Sequence, residues 1–246
     1  NEKIGPELSF GWTIGDKLDE DVLIIKAAWG GKSLFRDFLP PSGRKPDDAF
    51  IQALEDKAKK KKKPFSKEEY REGFGHYYRL MMTSVGETLG DLKTYAPNYK
   101  GQGYEIAGFV WFQGFNDKFS DHSTSTYQEN MAHFIRDVRK DLKLPKLPFV
   151  IGAMGHQGTE QKGTTKILAD AQIETAEMPE FKGNVITVKT ADFWDYDAGK
   201  AFENKNKDPD TWAKLGSNRA YHYFGSAAFF EKTGTAFADA IIELGK

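Results

Sequence analysis

Residues 101–117, with the sequence GQGYEIAGFVWFQGFND, combine a glycine-rich turn, an apolar run and an abrupt polar end. The run 105–112 is rich in β-branched and aromatic residues, which is typical of a buried strand. Ligands of open α/β sheets bind outside the carboxyl ends of the strands. The polar end is therefore a candidate binding loop, although an ordinary polar turn is the simpler interpretation; it contains Gln113, Gly114, Phe115, Asn116 and Asp117.

Three further apolar runs resemble the first one and lie elsewhere in the chain. They are 22–28 (VLIIKAA), 147–152 (LPFVIG) and 184–189 (NVITVK). Segments with helical periodicity separate the four runs, and this alternation predicts βαβ units in a mostly parallel sheet with helices on both faces. The predicted fold is a three-layer α/β/α domain covering residues 1–246, with a charged insertion at about 42–64. A second charged stretch, 199–210, has the composition of a disordered segment.

Each of the other predicted strands also ends in a candidate loop. Gly30 and Gly31 follow the run 22–28, His156 follows 147–152, and Trp194 and Asp195 come after 184–189. Two adjacent glycines let backbone N–H groups approach a ligand closely. One more histidine, at position 222, precedes the last predicted helix.

Composition excludes several classes of function. The 246 residues carry 35 Lys plus Arg against 36 Asp plus Glu, so no nucleic-acid partner is expected. There are no cysteines, which excludes disulfides, cysteine nucleophiles and cysteine-ligated metals. No apolar run reaches the length of a membrane span, so no membrane insertion is expected. We expect no cofactor and no metal.

These loops together contain what acyl transfer needs. A histidine can act as general base, while glycine N–H groups and a neutral amide can stabilise an oxyanion. Each piece alone is weak, because a histidine between Tyr221 and Tyr223 is more often a core residue. A phosphate-binding loop at Gly31 is a distant alternative, because Lys26 stands where that motif needs a glycine.

Six motifs resemble a bacterial branch of the sialate O-acetylesterase-like carbohydrate esterases, within the SGNH hydrolases: GPELSFG, VLIIKAAWGGKSL, GYEIAGFVWFQGFND, FIRDVRKDL, LPFVIGAMG and YHYFGSA. The resemblance implies a flavodoxin-like sheet and hydrolysis of O-acetyl esters on sugars. It implies an oxyanion site from the Gly31 N–H and the Gln113 amide, a matching aspartate at Asp117, and His222 as base. The residues expected beside this cleft to bind substrate are Gly30, Asn116, Asp117, His156 and Trp194.

The sequence departs from the family pattern at three points. The family's QGESD-type block reads QGFND here, and Arg219 stands where an aspartate normally precedes the histidine by three residues. Asp195 or a backbone carbonyl is therefore the candidate that orients His222. The family's serine block on the first strand is absent, so we expect the domain to be N-terminally incomplete, or another segment to fill the gap. Ser33 is the best internal rival for the nucleophile.

Two functions remain open at this point. The first is an acetylesterase acting on an acetylated carbohydrate, with its serine supplied by a further segment of the same protein. The second is a catalytically inactive carbohydrate-binding relative that keeps the pocket. The habit of the family suggests a secreted or periplasmic protein, although no signal peptide is visible.

Overall fold

A parallel three-stranded sheet lies at the centre of the computed structural model, which describes residues 4–18 and 20–246. The strands are β1 (Phe109–Trp111), β2 (Phe149–Ala153) and β3 (Val185–Lys189), in the order β1-β2-β3. β1 and β3 lie within runs that the sequence predicts as strands, and β2 ends one residue beyond its predicted run. Because parallel neighbours need crossover connections, helices separate them along the chain.

Helices pack against both faces of this sheet. The helices of the described ranges are α1 (Glu7–Lys17), α2 (Asp48–Lys60), α3 (Lys67–Glu72), α4 (His76–Gly90), α5 (Leu92–Tyr95), α6 (Asp121–Ser125), α7 (Tyr127–Asp141), α8 (Gly163–Glu177), α9 (Tyr196–Asn204), α10 (Pro209–Leu215) and α11 (Ala227–Leu244). Short 3-10 turns follow the strands and precede α11, at Phe115–Phe119, Gly158–Glu160, Thr190–Phe193 and Ala220–Gly225. None of the helices in the described ranges is long and apolar enough to cross a membrane.

Alternate side chains of β2, the central strand, pack into two hydrophobic clusters on opposite faces of the sheet. Phe149 and Ile151 are fully buried in a cluster with side chains of α4, α7 and α8. Val150 points to the other face, where it packs with Ile14 of α1 and Phe237 of α11. This period-two alternation places one helical layer on each side of the sheet, which confirms the predicted three-layer α/β/α class.

The prediction of a strand at 22–28 is wrong for the described structure. That segment pairs with no strand, and Val22, Leu23 and Ile24 are about 40% exposed, at 42%, 41% and 39%. A strand needs a neighbour that accepts and donates its ladder hydrogen bonds. Among the described residues β1 pairs only with β2, and 22–28 forms a ladder with none of the three strands. Apolar composition indicates burial but does not supply a partner.

The two charged stretches are also more ordered than their composition indicates. Within the 42–64 insertion, α2 is capped by Asp47, whose side chain accepts the Phe50 N–H at 2.8 Å. The stretch 199–210 covers the end of α9, a turn at 205–207 and the start of α10, so its disordered interpretation is wrong. Ala198 and Ala201 of α9 are buried and form a small apolar face on the helix. The charged residues around these two alanines hide that face in the sequence.

Candidate active site

Asp117 joins the glycine loop to the carboxyl end of β1. Its side chain is fully buried and accepts backbone hydrogen bonds from Leu34 and Phe35, each at 2.9 Å. Burial raises the pKa of Asp117 to about 6, against the lowering effect of these hydrogen bonds. The carboxylate therefore fixes two segments that lie more than eighty residues apart in the sequence.

Gln113 strengthens the same junction. Its Nε2 donates to the Lys32 carbonyl at 2.9 Å and to Asp117 Oδ2 at 2.7 Å, and Asn116 Nδ2 donates to the Lys32 carbonyl at 3.2 Å. Both hydrogens of the Gln113 amide thus have protein acceptors. The role of this amide at an oxyanion stays a prediction, and it would require one of these two bonds to be exchanged for substrate.

Gly31 presents an available backbone donor. Its φ of 73° lies in the left-handed region, which glycine adopts without strain. The residue is exposed, and its N–H has no acceptor among the residues that the structure describes. A Cβ added at Gly30 or at Gly31 would meet nothing within 4 Å, so the loop is open to a ligand on this side.

A buried polar network that sequence reasoning missed supports Gln113 from below. Gln172 Nε2 donates to the Gln113 carbonyl at 2.7 Å, and its Oε1 accepts the Met154 N–H at 2.7 Å. The Tyr127 hydroxyl donates to the same Gln113 carbonyl at 3.0 Å and accepts from Trp111 Nε1 at 3.1 Å. Gln172 thereby ties the loop after β1 to the loop after β2. A glutamine on the apolar face of α8 was the available sequence signal.

His222 lies in a tightly wound loop before α11. The backbone of Tyr223 and Phe224 has positive φ values of 52° and 59°, unusual for aromatic residues. The Phe224 carbonyl accepts the N–H groups of Ser217 and Asn218, at 2.8 and 2.9 Å, which closes the loop. The histidine side chain is exposed, and its Nδ1 lies 3.1 Å from Asn218 Oδ1. Strained backbone of this kind concentrates at functional sites.

Asp195 makes other contacts. One carboxylate oxygen caps α9 by accepting the Ala198 N–H at 2.8 Å, and the other accepts the hydroxyl of Ser226. Its role as the group that orients His222 stays a prediction. Asn218, whose Oδ1 lies 3.1 Å from His222 Nδ1, is a further candidate for that role beside Asp195 and a backbone carbonyl.

Aromatic contacts bring the strand-end loops together. The ring of Phe115 lies 5.4 Å from His156 and 5.6 Å from Tyr221, and the ring of Trp194 lies 5.6 Å from His156, measured between centroids. Phe115 therefore links the loop after β1 to both histidine-bearing loops. His156 is half-buried, and burial together with the charge of Lys118 lowers its pKa to about 4. Its ring is neutral at neutral pH.

Ser33, the internal rival for the nucleophile, is held within its own turn. Its hydroxyl donates to Asp37 at 3.0 Å and accepts the Arg36 N–H at 3.2 Å. A different serine contacts a histidine: Ser42 Oγ lies 2.9 Å from His133 Nδ1, on the surface of α7. Within the described ranges, no group of three or more His, Asp or Glu side chains could hold a metal ion.

Comparisons with known proteins agree with this architecture. The sequence model of a family described as "Carbohydrate esterase, sialic acid-specific acetylesterase" matches residues 1–198. The chain therefore belongs to this carbohydrate esterase family. It is also 38% identical, over 56 residues, to a probable carbohydrate esterase of Arabidopsis thaliana. That match covers 23% of this chain and 22% of the plant protein's length.

A solved structure supports the fold. An X-ray structure of a protein from Arabidopsis thaliana superposes with a TM-score of 0.59, covering 97% of this chain and 68% of that one. The identity over the superposed residues is 18%, so this likeness concerns the fold alone.

Proposed function

We propose that this chain forms part of an esterase that removes O-acetyl groups from carbohydrates by serine acyl transfer. The observation that carries the proposal is the junction between the glycine loop and the loop after β1. There, Asp117 and Gln113 fix the backbone after Gly31 and leave the Gly31 N–H exposed without an acceptor in the described residues. A fixed and unpaired N–H is what an oxyanion site requires.

Each residue has a distinct role in this reaction. The Gly31 N–H stabilises the oxyanion that forms when the serine hydroxyl attacks the acetyl carbonyl. His222 takes the proton of that hydroxyl, returns it to the sugar oxygen that leaves, and later activates water to release acetate. Asn218 or Asp195 orients the imidazole. Gln113 positions the glycine loop through the Lys32 carbonyl, at 2.9 Å.

The sugar would lie beside this centre. Asn116, His156 and Trp194 lie in loops at the carboxyl ends of the strands, and Asn116 contacts the loop that contains Gly30 through the Lys32 carbonyl. The indole of Trp194 and the neutral ring of His156 offer faces on which the apolar side of a sugar ring packs. A pKa lowered to about 4 makes the His156 imidazole a weak base, so we assign it a packing role and leave the proton transfer to His222.

We further propose that the nucleophilic serine comes from a segment of the protein outside these 246 residues. Two observations support this. The hydroxyl of Ser33 is committed to Asp37, at 3.0 Å. In addition, no strand of the described residues pairs with the second edge of β1, and an unpaired edge of this kind accepts a further strand. Export of the protein, secreted or periplasmic, remains part of the proposal.

Hydrolysis of an aryl acetate and of an acetylated sugar by three proteins tests this function. They are the present chain, a longer form that includes residues upstream of position 1, and the longer form carrying His222→Ala. We expect only the second to be active, because loss of a catalytic histidine costs at least about 10³-fold in rate. Ser42→Ala in the longer form is the control, and it should keep full activity.

Two results would change the proposal in different ways. Hydrolysis by the present chain that Ser33→Ala abolishes would move the nucleophile to the glycine loop and retain the esterase. A longer form that binds acetylated sugar without hydrolysing it would instead support the inactive carbohydrate-binding relative.

A further inference from the structure

A basic cavity lies at the opposite end of the sheet from the candidate active site. It has a volume of about 390 Å³ and lies between the last turns of α7 and the segment before β3. Its wall includes Arg139, whose guanidinium group donates hydrogen bonds to the carbonyls of Leu147, before β2, and Asn184, before β3. The side chains that matter for its chemistry are Arg136, Arg139, Lys140, Lys143, Glu180 and Phe181.

Positive charge dominates this cavity. The cavity is lined by four cationic side chains and one carboxylate, that of Glu180. Arg136 donates two hydrogen bonds to Glu180, from Nε to Oε2 at 3.0 Å and from Nη2 to Oε1 at 2.5 Å. The charges of Arg139, Lys140 and Lys143 are left without an acidic partner within ion-pair distance among the described residues. A surface that concentrates three uncompensated cations attracts anions.

Two guanidinium groups are preorganised as hydrogen-bond donors. Arg139 is only 6% exposed, and its Nη2 donates to the carbonyls of Leu147 and Asn184 at 2.8 and 3.0 Å. Both guanidinium groups lie over the ring of Phe181, at 5.7 Å for Arg139 and 5.9 Å for Arg136. The Nη1 atom of each has no acceptor in residues 4–18 and 20–246. Rigid, unpaired guanidinium donors suit the geometry of a multi-oxygen anion.

Lys143 occupies a position where glycine is usual. Its φ is 59°, and its N–H bonds the Lys140 carbonyl at 3.1 Å as the chain leaves α7. A left-handed residue just after a helix is most often glycine, because a side chain there adds strain. Here the strained position carries a cationic side chain that lines the cavity. The backbone cost is consistent with a role for that side chain.

We propose that this cavity binds a tetrahedral oxyanion, a sulfate or phosphate group, through Arg136, Arg139, Lys140 and Lys143. The guanidinium Nη1 atoms and the two ammonium groups supply the donors, and Glu180 holds Arg136 in place. The same chemistry could come from an inorganic anion or from an ester group on a sugar. The cavity is open to solvent, so a group that is attached to a sugar can enter it as well as a free anion. The site is independent of the proposed hydrolysis.

Calorimetric titration of the 246-residue chain at low salt tests the proposal. The probes are inorganic sulfate, inorganic phosphate, and a sulfated oligosaccharide beside its unsulfated counterpart. The variant Lys140→Gln/Lys143→Gln is compared with Lys93→Gln/Lys100→Gln, which removes the same charge from two exposed lysines that do not line the cavity. We expect saturable binding of the sulfated sugar, weakened at least tenfold in the first variant and less than twofold in the second. The unsulfated sugar should not bind.

The single variant Lys143→Gly separates binding from folding. Glycine relieves the left-handed strain, so the melting temperature should stay the same or rise by about 1–3 °C while anion binding weakens. Saturable binding of the inorganic anions alone, lost in the cavity variant, would assign the site to a free anion. Absence of saturable binding, or equal weakening in both double variants, would overturn the proposal.

Discussion

The two sides of the candidate active site are held in place by different interactions. On the β1 side, Gln113, Asp117, Tyr127 and Gln172 form a buried network in which side-chain polar groups meet one another and the backbone. On the other side, residues 217–225 form a loop with strained backbone that presents an exposed His222. We call these the buried network and the histidine loop. The difference indicates that the first is a scaffold and that the second carries a group which must reach substrate.

Substitution in the buried network should have the largest effect on stability. Gln172→Leu has a similar volume but leaves the Met154 N–H without its acceptor and the Gln113 carbonyl with one donor fewer. We expect the free energy of unfolding to fall by about 3 kcal/mol, since each buried unpaired group costs about 1–3 kcal/mol. Urea denaturation measures this loss.

A matched control lies one turn further along α8. Thr175→Val removes a buried hydroxyl that bonds only the Ala171 carbonyl of the same helix, at 2.7 Å. Its loss should cost less than about 1 kcal/mol. Equal destabilisation by the two variants would mean that Gln172 has no special role between the loops.

The contributions of Asp117 and His156 to folding stability should depend on pH in opposite directions. The folded-state pKa of Asp117 is raised to about 6, so its contribution to stability is complete at low pH and falls as pH rises from about 4 to 6. The folded-state pKa of His156 is lowered to about 4, so its contribution is present above the unfolded value of about 6.5 and is lost as pH falls toward 4. In the wild-type protein these two slopes oppose each other.

Single variants should expose each slope. Relative to wild type between pH 4 and 6, Asp117→Asn should make stability rise more steeply with pH. His156→Phe, which keeps a ring against Phe115 and Trp194, should make it rise less steeply or fall. Each change is at most about 1.4 kcal/mol per pH unit. Urea denaturation at several pH values measures both, and a change of the same sign in the two variants would contradict the assignment.

Alanine substitutions at Gly30 and Gly31 should differ in their effect on stability, by a smaller amount. Gly31→Ala forces a side chain into the left-handed region, which should cost about 1 kcal/mol. Gly30→Ala is the control, because its φ lies outside that region and its Cβ would also meet nothing within 4 Å. Thermal unfolding of both variants measures the difference, and the account expects Gly30→Ala to be nearly neutral. Similar losses in both would place the strain elsewhere in the loop.

Of the substitutions considered, removal of the His222 side chain from the histidine loop should change the free energy of unfolding the least. His222 is exposed, so His222→Ala should change the free energy of unfolding by less than about 0.5 kcal/mol. The same substitution is expected to abolish hydrolysis by the longer protein. A loss of stability comparable with that of Gln172→Leu would mean that His222 is part of the scaffold.

The sequence was sufficient for the architecture but not for the pairing of every strand. Alternating apolar runs predicted β1, β2 and β3, because burial on both faces of a parallel sheet leaves a clear pattern. The run 22–28 has the same pattern, yet pairing depends on a neighbouring backbone that no local pattern reveals. The charges of 199–210 concealed two helices whose caps, Asp195 and Asp208, are visible only as single residues.

The candidate site was predictable in its residues and not in its contacts. The polar end of β1 pointed to Gln113 and Asp117, but a carboxylate facing the backbone of Leu34 and Phe35 is a long-range contact that local spacing does not encode. Gln172 and Asn218 were missed for a different reason. Their residue types are common in helices and loops, and only burial or proximity to His222 distinguishes them.

Native-state hydrogen exchange tests the central contrast between scaffold and presenting loop most directly. The Leu34 and Phe35 amides donate to a fully buried Asp117, whereas the His222 amide bonds the Arg219 carbonyl, at 2.9 Å, within an exposed turn. We predict that the first two exchange only near the free energy of global unfolding, and that His222 exchanges through local opening, at least about 100-fold faster after correction for intrinsic rates. Equal protection of the three amides, or slower exchange at His222, would contradict the account.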